Sequence, residues 1–438
     1  MRPIQLKIYS SADVPRLRYI AAVILGDILG LPWEIVTDKR KLGKHPVINY
    51  SDENIKGSFM VGPSFLLFET GVRTLDIEVN EWKGLPVFFR SVAGDFPFDI
   101  FAASFFLISR YEEYLAHDTD GDSRFQASSS LAYRHGFLQR PVVDLWTLEF
   151  ARALLKKFRT LTFKRNDYTA ITTFNIDQPF ASQGWSLMSS IGGMLRDLAK
   201  SGGHAAERYK PVVKDEKDTV GVFNYMSGII EKYRSDSRFF FPVGDHSKND
   251  KNPSWKNEDY RKLISGLASR YDCGLYHSYR ASADFSRICR ERDRLRIITG
   301  REVLLARFHR LRIHLPYSYQ YAHQAGTASD FSMGYPEEAG FRSGIARPHL
   351  FYNILTDQQT EMKICPFQFM DTHAGSYMSR NPGESRELIM KLINEVRKTG
   401  GTFISIWHNT SFMENEVWKE YREIFEFTLR NQAGEAKY

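Results

Sequence analysis

At 438 residues the chain is too long for one ordinary core, so two domains are expected. Hydrophobic residues make up 42% and aromatic residues 14%, which excludes a disordered chain and provides for packed interiors. The formal charge of +7 favours acidic partners, but basic and acidic residues are interspersed and no nucleic-acid module is recognisable; a solvated surface and no nucleic-acid partner are expected.

No apolar run reaches the ~18 residues of a membrane span, so no integral membrane segment is expected. The opening residues MRPIQLKIYS lack an apolar stretch followed by a cleavage site, which points to a cytoplasmic protein. Cys273, Cys289 and Cys365 are scattered and fit reduced thiols better than a disulfide frame or a zinc knuckle.

The first part of the chain reads as mixed α/β. Arg16 to Leu29 has helical periodicity and stops at Gly30, with Pro32 beyond. The short apolar runs PVINY, SFLLFE, TLDIEV and PVFF follow and are strand-like. Pro97 to Leu115 predicts a strong helix whose Phe98, Phe101, Phe105 and Tyr114 form a core stripe. The acids Asp118, Asp120 and Asp122 lack the closing Glu of a calcium loop and read as a turn. A helix from about Val143 to Phe158 leads into a basic KRND segment. A domain over 1–162 and a second over 168–432 are expected.

From Thr169 strands alternate with helices, the pattern of a parallel α/β unit. The expected strands are TAITTFNID, RFFFPVGD, YDCGLYHS, EVLLARFH, the stretch around GFRSGIA, MKICPFQFMD and GTFISIWHN. Between the last two, Leu388, Leu392 and Val396 share one helix face, and Gly400-Gly401 ends that helix. The polar stretch from Gly202 to Asp218 reads as a surface excursion.

Nearly every strand in this half ends on a polar residue: Asn175 and Asp177, then Asp245, His277, Arg307 with His309, Arg342, Asp371 and His408. Singly, each is a reasonable turn or cap residue. Together, at the strand ends of a βα barrel, they converge on one mouth, and several His and Asp there suit a metal site.

The order TFNID, GLYHS, the Arg of GFRSG and a late IWHN resembles the motif series of the polysaccharide deacetylases, carbohydrate esterase family 4. The phrases FAASFFLISRYEEYL, SRF and RPVVDLW, with FFFPVGD, DFSMGY and PFQFMDTH further on, resemble two-domain bacterial members with an N-terminal domain of unknown role. The resemblance implies a distorted (β/α) barrel preceded by a smaller mixed α/β domain. It also implies hydrolysis of the acetamide of an N-acetylated sugar with a divalent metal, often zinc. A Lewis-acid cation polarises the carbonyl and acidifies a bound water, a carboxylate takes the water proton, and a His protonates the leaving amine. By resemblance Asp177 matches the metal-binding Asp and Arg342 the Arg that orients the catalytic carboxylate. Asp371 falls in the later MD element, and His408 matches the proton-donating His.

Two positions depart from the family pattern. Asn175 stands where the catalytic-base Asp is expected, and an amide cannot act as a base at neutral pH. The second motif reads Gly274-Leu275-Tyr276-His277-Ser278-Tyr279, with Tyr at the ligand-His position and His277 one place later. Adjacent strand residues face opposite ways, so His277 is either a ligand re-aimed by a bulge or a helix-facing histidine. Two functions follow: a metal-dependent deacetylase of an N-acetylated sugar or glycan precursor, weakened by these changes, or a degenerate homologue that binds glycan as a scaffold in polysaccharide biosynthesis.

Overall fold

The computed structural model describes residues 5–91, 94–177, 179, 219–374, 381–412 and 416–433; the expected excursion at 202–218 lies outside them. The first sheet is small and parallel, in the order β2-β1-β3-β4. Its strands are β1 (Leu6–Ser10), β2 (Trp33–Val36), β3 (Val47–Tyr50) and β4 (Phe59–Met60). β1 is buried along its whole length, its polar Lys7 and Ser10 included. Between β1 and β2, helix α1 (Pro15–Ala21) continues as a π-helical stretch, Ala22–Ile28, up to Gly30 at φ 67°.

Two expected strands are absent. SFLLFE makes a 3-10 turn over Leu66–Phe68, entered through Phe65 at φ 68°, and TLDIEV joins no ladder. Leu66 and Leu67 are nonetheless buried, so the apolar run reports burial and not strand. A two-stranded hairpin, β5 (Asn80–Trp82) and β6 (Leu85–Val87), takes up part of PVFF.

Helix α2 spans Ile100–Ile108, shorter than the expected Pro97–Leu115. Asp99 caps it, accepting from Ala102 N–H at 3.0 Å, and all nine residues are buried. The helix stops because Arg110 is left-handed, φ 58°, with its guanidinium drawn to Glu112 and Glu113. Helix α3 (Val142–Lys157) packs Trp146, Phe150 and Leu154 into the same core, which also takes in Tyr335, Ile345, Tyr352 and Ile354 from the later chain.

The second sheet has nine strands in the order β12-β13-β11-β10-β9-β8-β7-β15-β14, parallel except for β12 against β13. They are β7 (Thr169–Asn175), β8 (Ser237–Phe241), β9 (Asp272–His277), β10 (Leu305–Phe308), β11 (Ser329–Asp330), β12 (His349–Asn353), β13 (Gln358–Ile364), β14 (Phe369–Met370) and β15 (Thr402–His408). The expected strand around GFRSGIA is instead irregular. Gly340 and Gly344 have φ of 148° and 68°, and the segment's backbone bonds are divided between Leu138 and Val143 of the N-terminal region and Gln368 and Thr402 of the later chain. MKICPFQFMD is split at Pro366, which has no N–H to give a ladder. The residues after β13 continue the pairing: Cys365 N–H donates to Asp330 O at 2.8 Å, Phe367 to Met333 O at 3.0 Å and Gln368 to Ile404 O at 3.0 Å. One stretch of chain therefore lies beside β11 at its start and β15 at its end, and links the two sides of the sheet.

Alternation separates two apolar layers. Phe240, Tyr276, Phe331, Phe367, Ile404 and Ile406 form one cluster, and Arg307 lies over the Phe240 ring at 4.5 Å. Gly274 belongs on this face because a Cβ there would meet the Phe240 ring at 2.6 Å. On the other face Phe174, Phe239, Leu275, Phe403 and Trp407 pack under helices that include α4 (Glu258–Ala268), α5 (Phe285–Thr299) and α6 (Pro382–Thr399). Helix α6 follows the sequence expectation: Asn381 caps it at Glu384 N–H, 2.9 Å, and Gly400 ends it at φ 63°. No helix among the described residues is long and apolar enough to cross a membrane, and all three cysteines are free.

Candidate functional site at the strand ends

Asn175 and His408 are the last residues of β7 and β15 and stand opposite each other in register. Asp371, the first residue after β14, opens a single helical turn (Asp371–Ala374) and is fully buried. Its Oδ1 meets His408 Nδ1 at 2.8 Å, and its Oδ2 accepts the His408 backbone N–H at 2.7 Å and the Ser411 hydroxyl at 2.6 Å. Burial raises the Asp371 carboxyl, but His408 and these donors outweigh it and hold the group ionised, below its usual value. Burial likewise disfavours the imidazolium of His408, yet the Asp371 charge and hydrogen bond push its pKa up to about 9. His373 braces this turn, its Nδ1 accepting Met370 N–H at 3.1 Å and its Nε2 facing Tyr335 O at 2.9 Å. Burial holds it neutral, with a pKa lowered to about 4.

The free edge of His408 faces two groups. Its Nε2 is 3.2 Å from Asn175 Nδ2 and 3.9 Å from Asp177 Oδ2. The Asn175 amide is oriented by Arg307, whose Nη1 donates to Oδ1 at 2.8 Å, leaving only the NH2 group for His408. Since an NH2 group cannot accept, a protonated His408 has only Asp177 as an acceptor here. Asp177 is itself placed by its backbone N–H on Asn409 Oδ1 at 2.9 Å. Arg307 is wholly buried, donates also to Thr173 and Phe331 O, and forms no ion pair among the described residues. Burial lowers its pKa to about 9, only partly offset by the nearby Tyr276 and Asp330.

The structure thus brings Asn175, Asp177, Asp371 and His408 together. It does not bring Arg342 to them. Arg342 is buried against Glu113 of the N-terminal region, at 2.6 and 2.9 Å, and donates to Gly334 O. Glu113 also takes Arg110, at 2.6 Å, and although burial opposes its charge the two cations hold it at about 2. The carboxylate that Arg342 orients is therefore Glu113, supplied from 229 residues earlier in the chain.

His277 is also elsewhere. β9 is regular, so Tyr276 faces the inner cluster and His277 faces the helices. The His277 ring is buried, stacks on Phe308 at 4.6 Å, and has no hydrogen-bond partner on either nitrogen among the described residues. Its nearest carboxylate is Glu291, at 3.7 Å on helix α5. Asp245 is mostly exposed and pairs with Arg294 at 2.7 Å.

Among the described residues no group of three His, Cys, Asp or Glu could hold a metal ion. Near Asp177 the donor set is one carboxylate and one imidazole, and that imidazole is held as a cation by Asp371. Tyr276 occupies the second-motif position that faces inward, and burial pushes its phenol well above its usual value, so it offers no phenolate. These residues do not fit the zinc site that the sequence resemblance implies.

A second pair lies at the same end of the sheet. His309, just past β10, has Nδ1 2.8 Å from Oδ1 of the buried Asp250. Its ring meets the Tyr276 ring edge-on at 5.1 Å. The continuing alternation of Leu305, Arg307 and His309 points His309 at the mouth; nothing in the sequence marks Asp250, which comes from the irregular loop after β8.

Residues 6–159 match the model of a family of unknown function, DUF7033. A search of curated proteins finds no match. Among solved structures, a protein described as a polysaccharide deacetylase from Mycobacterium smegmatis aligns at 14% identity over 61% of this chain and 85% of that one, TM-score 0.39. A mutant of a CE4 family pseudoenzyme with restored enzymatic activity aligns at 9% identity over 61% and 65%, TM-score 0.27. A de-N-acetylase from Aggregatibacter actinomycetemcomitans aligns at 13% identity over 38% and 87%, TM-score 0.20. At TM-scores this low the alignments do not establish a shared fold.

Proposed function

We propose that this chain is a deacetylase-type carbohydrate protein whose mouth receives an N-acetylated sugar or glycan precursor. In this reading the nine-stranded sheet of 168–432 is a distorted (β/α) barrel, preceded by a smaller mixed α/β domain over 1–162. The observation that carries it is the His408–Asp371 pair, 2.8 Å apart and beside Asn175 and Asp177. These are four positions that the motif series assigns to one active site. His408, kept protonated by Asp371, is the group that gives a proton to a leaving amine nitrogen. Asn175 cannot take a proton from water, and the described residues around Asp177 do not make a metal site. Water activation is therefore lost or strongly weakened, and sugar binding is the role left to the site.

A second reading, a slow hydrolase, is favoured by how completely the His408–Asp371 pair is built. The two are separated by incubating N-acetylated oligosaccharides with the protein and added zinc, measuring acetate release alongside calorimetric binding. We expect binding with little or no acetate. Loss of a general base costs ~10²–10⁴ in rate, so robust turnover by the wild type overturns the degenerate-site reading.

A further inference from the structure

The mouth carries a second His–carboxylate pair that the proposed chemistry does not use. Asp250 is almost fully buried and its carboxylate is saturated. Oδ1 takes the Tyr279 backbone N–H at 2.8 Å as well as His309, and Oδ2 takes the Ser247 hydroxyl at 2.7 Å. Burial raises this carboxyl, but His309, Ser247 and the Tyr279 N–H together hold it ionised. An ionised carboxylate on Nδ1 holds the proton on that nitrogen and turns Nε2 outward. His309 keeps 19% of its side chain exposed, and Nε2 has no partner among the described residues. An aligned imidazole with one nitrogen tied down and the other open is a prepared hydrogen-bonding group.

The wall behind it is also prepared. Arg310 and Arg312 lie over the Tyr279 ring at 5.7 and 4.8 Å. A hairpin of the N-terminal region, closed by the Thr119–Phe125 bridge, pins both. Arg124 donates to Arg310 O at 2.7 Å, Arg312 to Asp122 O at 2.9 Å, and Arg310 to the Asp122 carboxylate at 3.1 Å. The cations beside His309 are thus already engaged, Arg310 by a carboxylate and Arg312 by neutral oxygens, which leaves the Nε2 edge of His309 as the open feature. A hydroxyl, which can give or take a hydrogen bond, suits such an edge.

We propose that His309, aligned by Asp250, is a second subsite of the mouth that hydrogen-bonds a hydroxyl of a neighbouring sugar residue. The ligand is then an oligosaccharide and not a single sugar. This rests on the carbohydrate reading above. The N-terminal hairpin acts as a positioning element for the loop that carries His309.

Calorimetric titration of the full chain with N-acetylglucosamine and with N,N′,N″-triacetylchitotriose tests it. We expect the wild type to bind the trisaccharide at least about tenfold more tightly than the monosaccharide, the worth of one good hydrogen bond. His309→Ala should erase that difference and leave monosaccharide affinity unchanged. Asp250→Asn, which keeps an acceptor for Nδ1 but removes the charge, should reduce the difference without erasing it. Equal affinity for both sugars in the wild type overturns the subsite and leaves the carbohydrate reading standing. So does a His309→Ala protein that keeps the difference, or one that loses both affinities together. No binding of either sugar overturns the subsite and the carbohydrate reading alike.

Discussion

Arg307 donates to the side-chain oxygen of Asn175 at 2.8 Å, so a fully buried cation leans on a neutral amide where a carboxylate would complete an ion pair. The same amide presents its NH2 group to His408 at 3.2 Å. One atom pair, carboxylate against amide, therefore changes the charge balance of the whole mouth.

Asn175→Asp should supply Arg307 with a direct ion-pair partner. We expect a thermal midpoint no lower than wild type, because the new buried carboxylate lies between Arg307 and a protonated His408. The change alone should add little acetate release. Paired with Tyr276→His, which puts an imidazole on the inward face of β9 near Asp177, it should create a zinc site. Zinc titration should rise from sub-stoichiometric to one per chain, with acetate release following. A double variant that binds no more zinc than wild type contradicts the placement of Tyr276.

Stability should depend on pH through His408. Its folded pKa, about 9, lies above the ordinary value near 6.5. The bound proton then favours the folded state fully below about pH 6.5, and this contribution fades as pH rises through about 9, amounting to at most about 3 kcal/mol. Urea unfolding at pH 6 and pH 9.5 should show the loss. In His408→Gln that step should vanish. A ring titration by NMR placing His408 near its ordinary value would exclude the mechanism.

Glu113→Gln should be strongly destabilising, because it leaves Arg110 and Arg342 buried without their shared carboxylate. Removing one partner of a buried pair typically costs about 3–5 kcal/mol. Differential scanning calorimetry reads the shift directly. By the same reasoning residues 168–432 expressed alone should be insoluble or unfolded, and a well-folded, soluble fragment would show that Glu113 is dispensable.

The hairpin contact should behave differently. Asp122→Ala removes partly exposed interactions, so stability should change by less than about 1 kcal/mol. Hydrogen exchange at 309–312 should nevertheless accelerate, since Asp122 and Arg124 hold that stretch from outside. Unchanged exchange would remove the positioning role from the hairpin.

Much of the mouth could be read in the sequence because β7, β9 and β15 are strands with a strict two-residue period and polar ends. Alternation alone puts Tyr276 inward and His277 outward. Asp371 could be placed from the MD element, although the kink at Pro366 that makes β14 short was not evident. Arg342 misled because its partner, Glu113, is set by tertiary packing across 229 residues, which no local pattern encodes. Asp250 was invisible for the same reason: it sits in a loop and matters only through His309. In the N-terminal region β1 was missed, and apolar runs such as SFLLFE mimicked strands while packing as turns.

The pairing of β7 with β15 spans 233 residues and has a consequence for biosynthesis. A ribosome releases β7 early, with one edge bare until β15 has been made, and a bare parallel edge invites wrong partners. Glu113 waits similarly for Arg342. Both halves of the molecule reach their final charge and hydrogen-bond state only when nearly the whole chain is out, so premature termination anywhere before His408 should yield a product for quality-control proteases and not a smaller working protein.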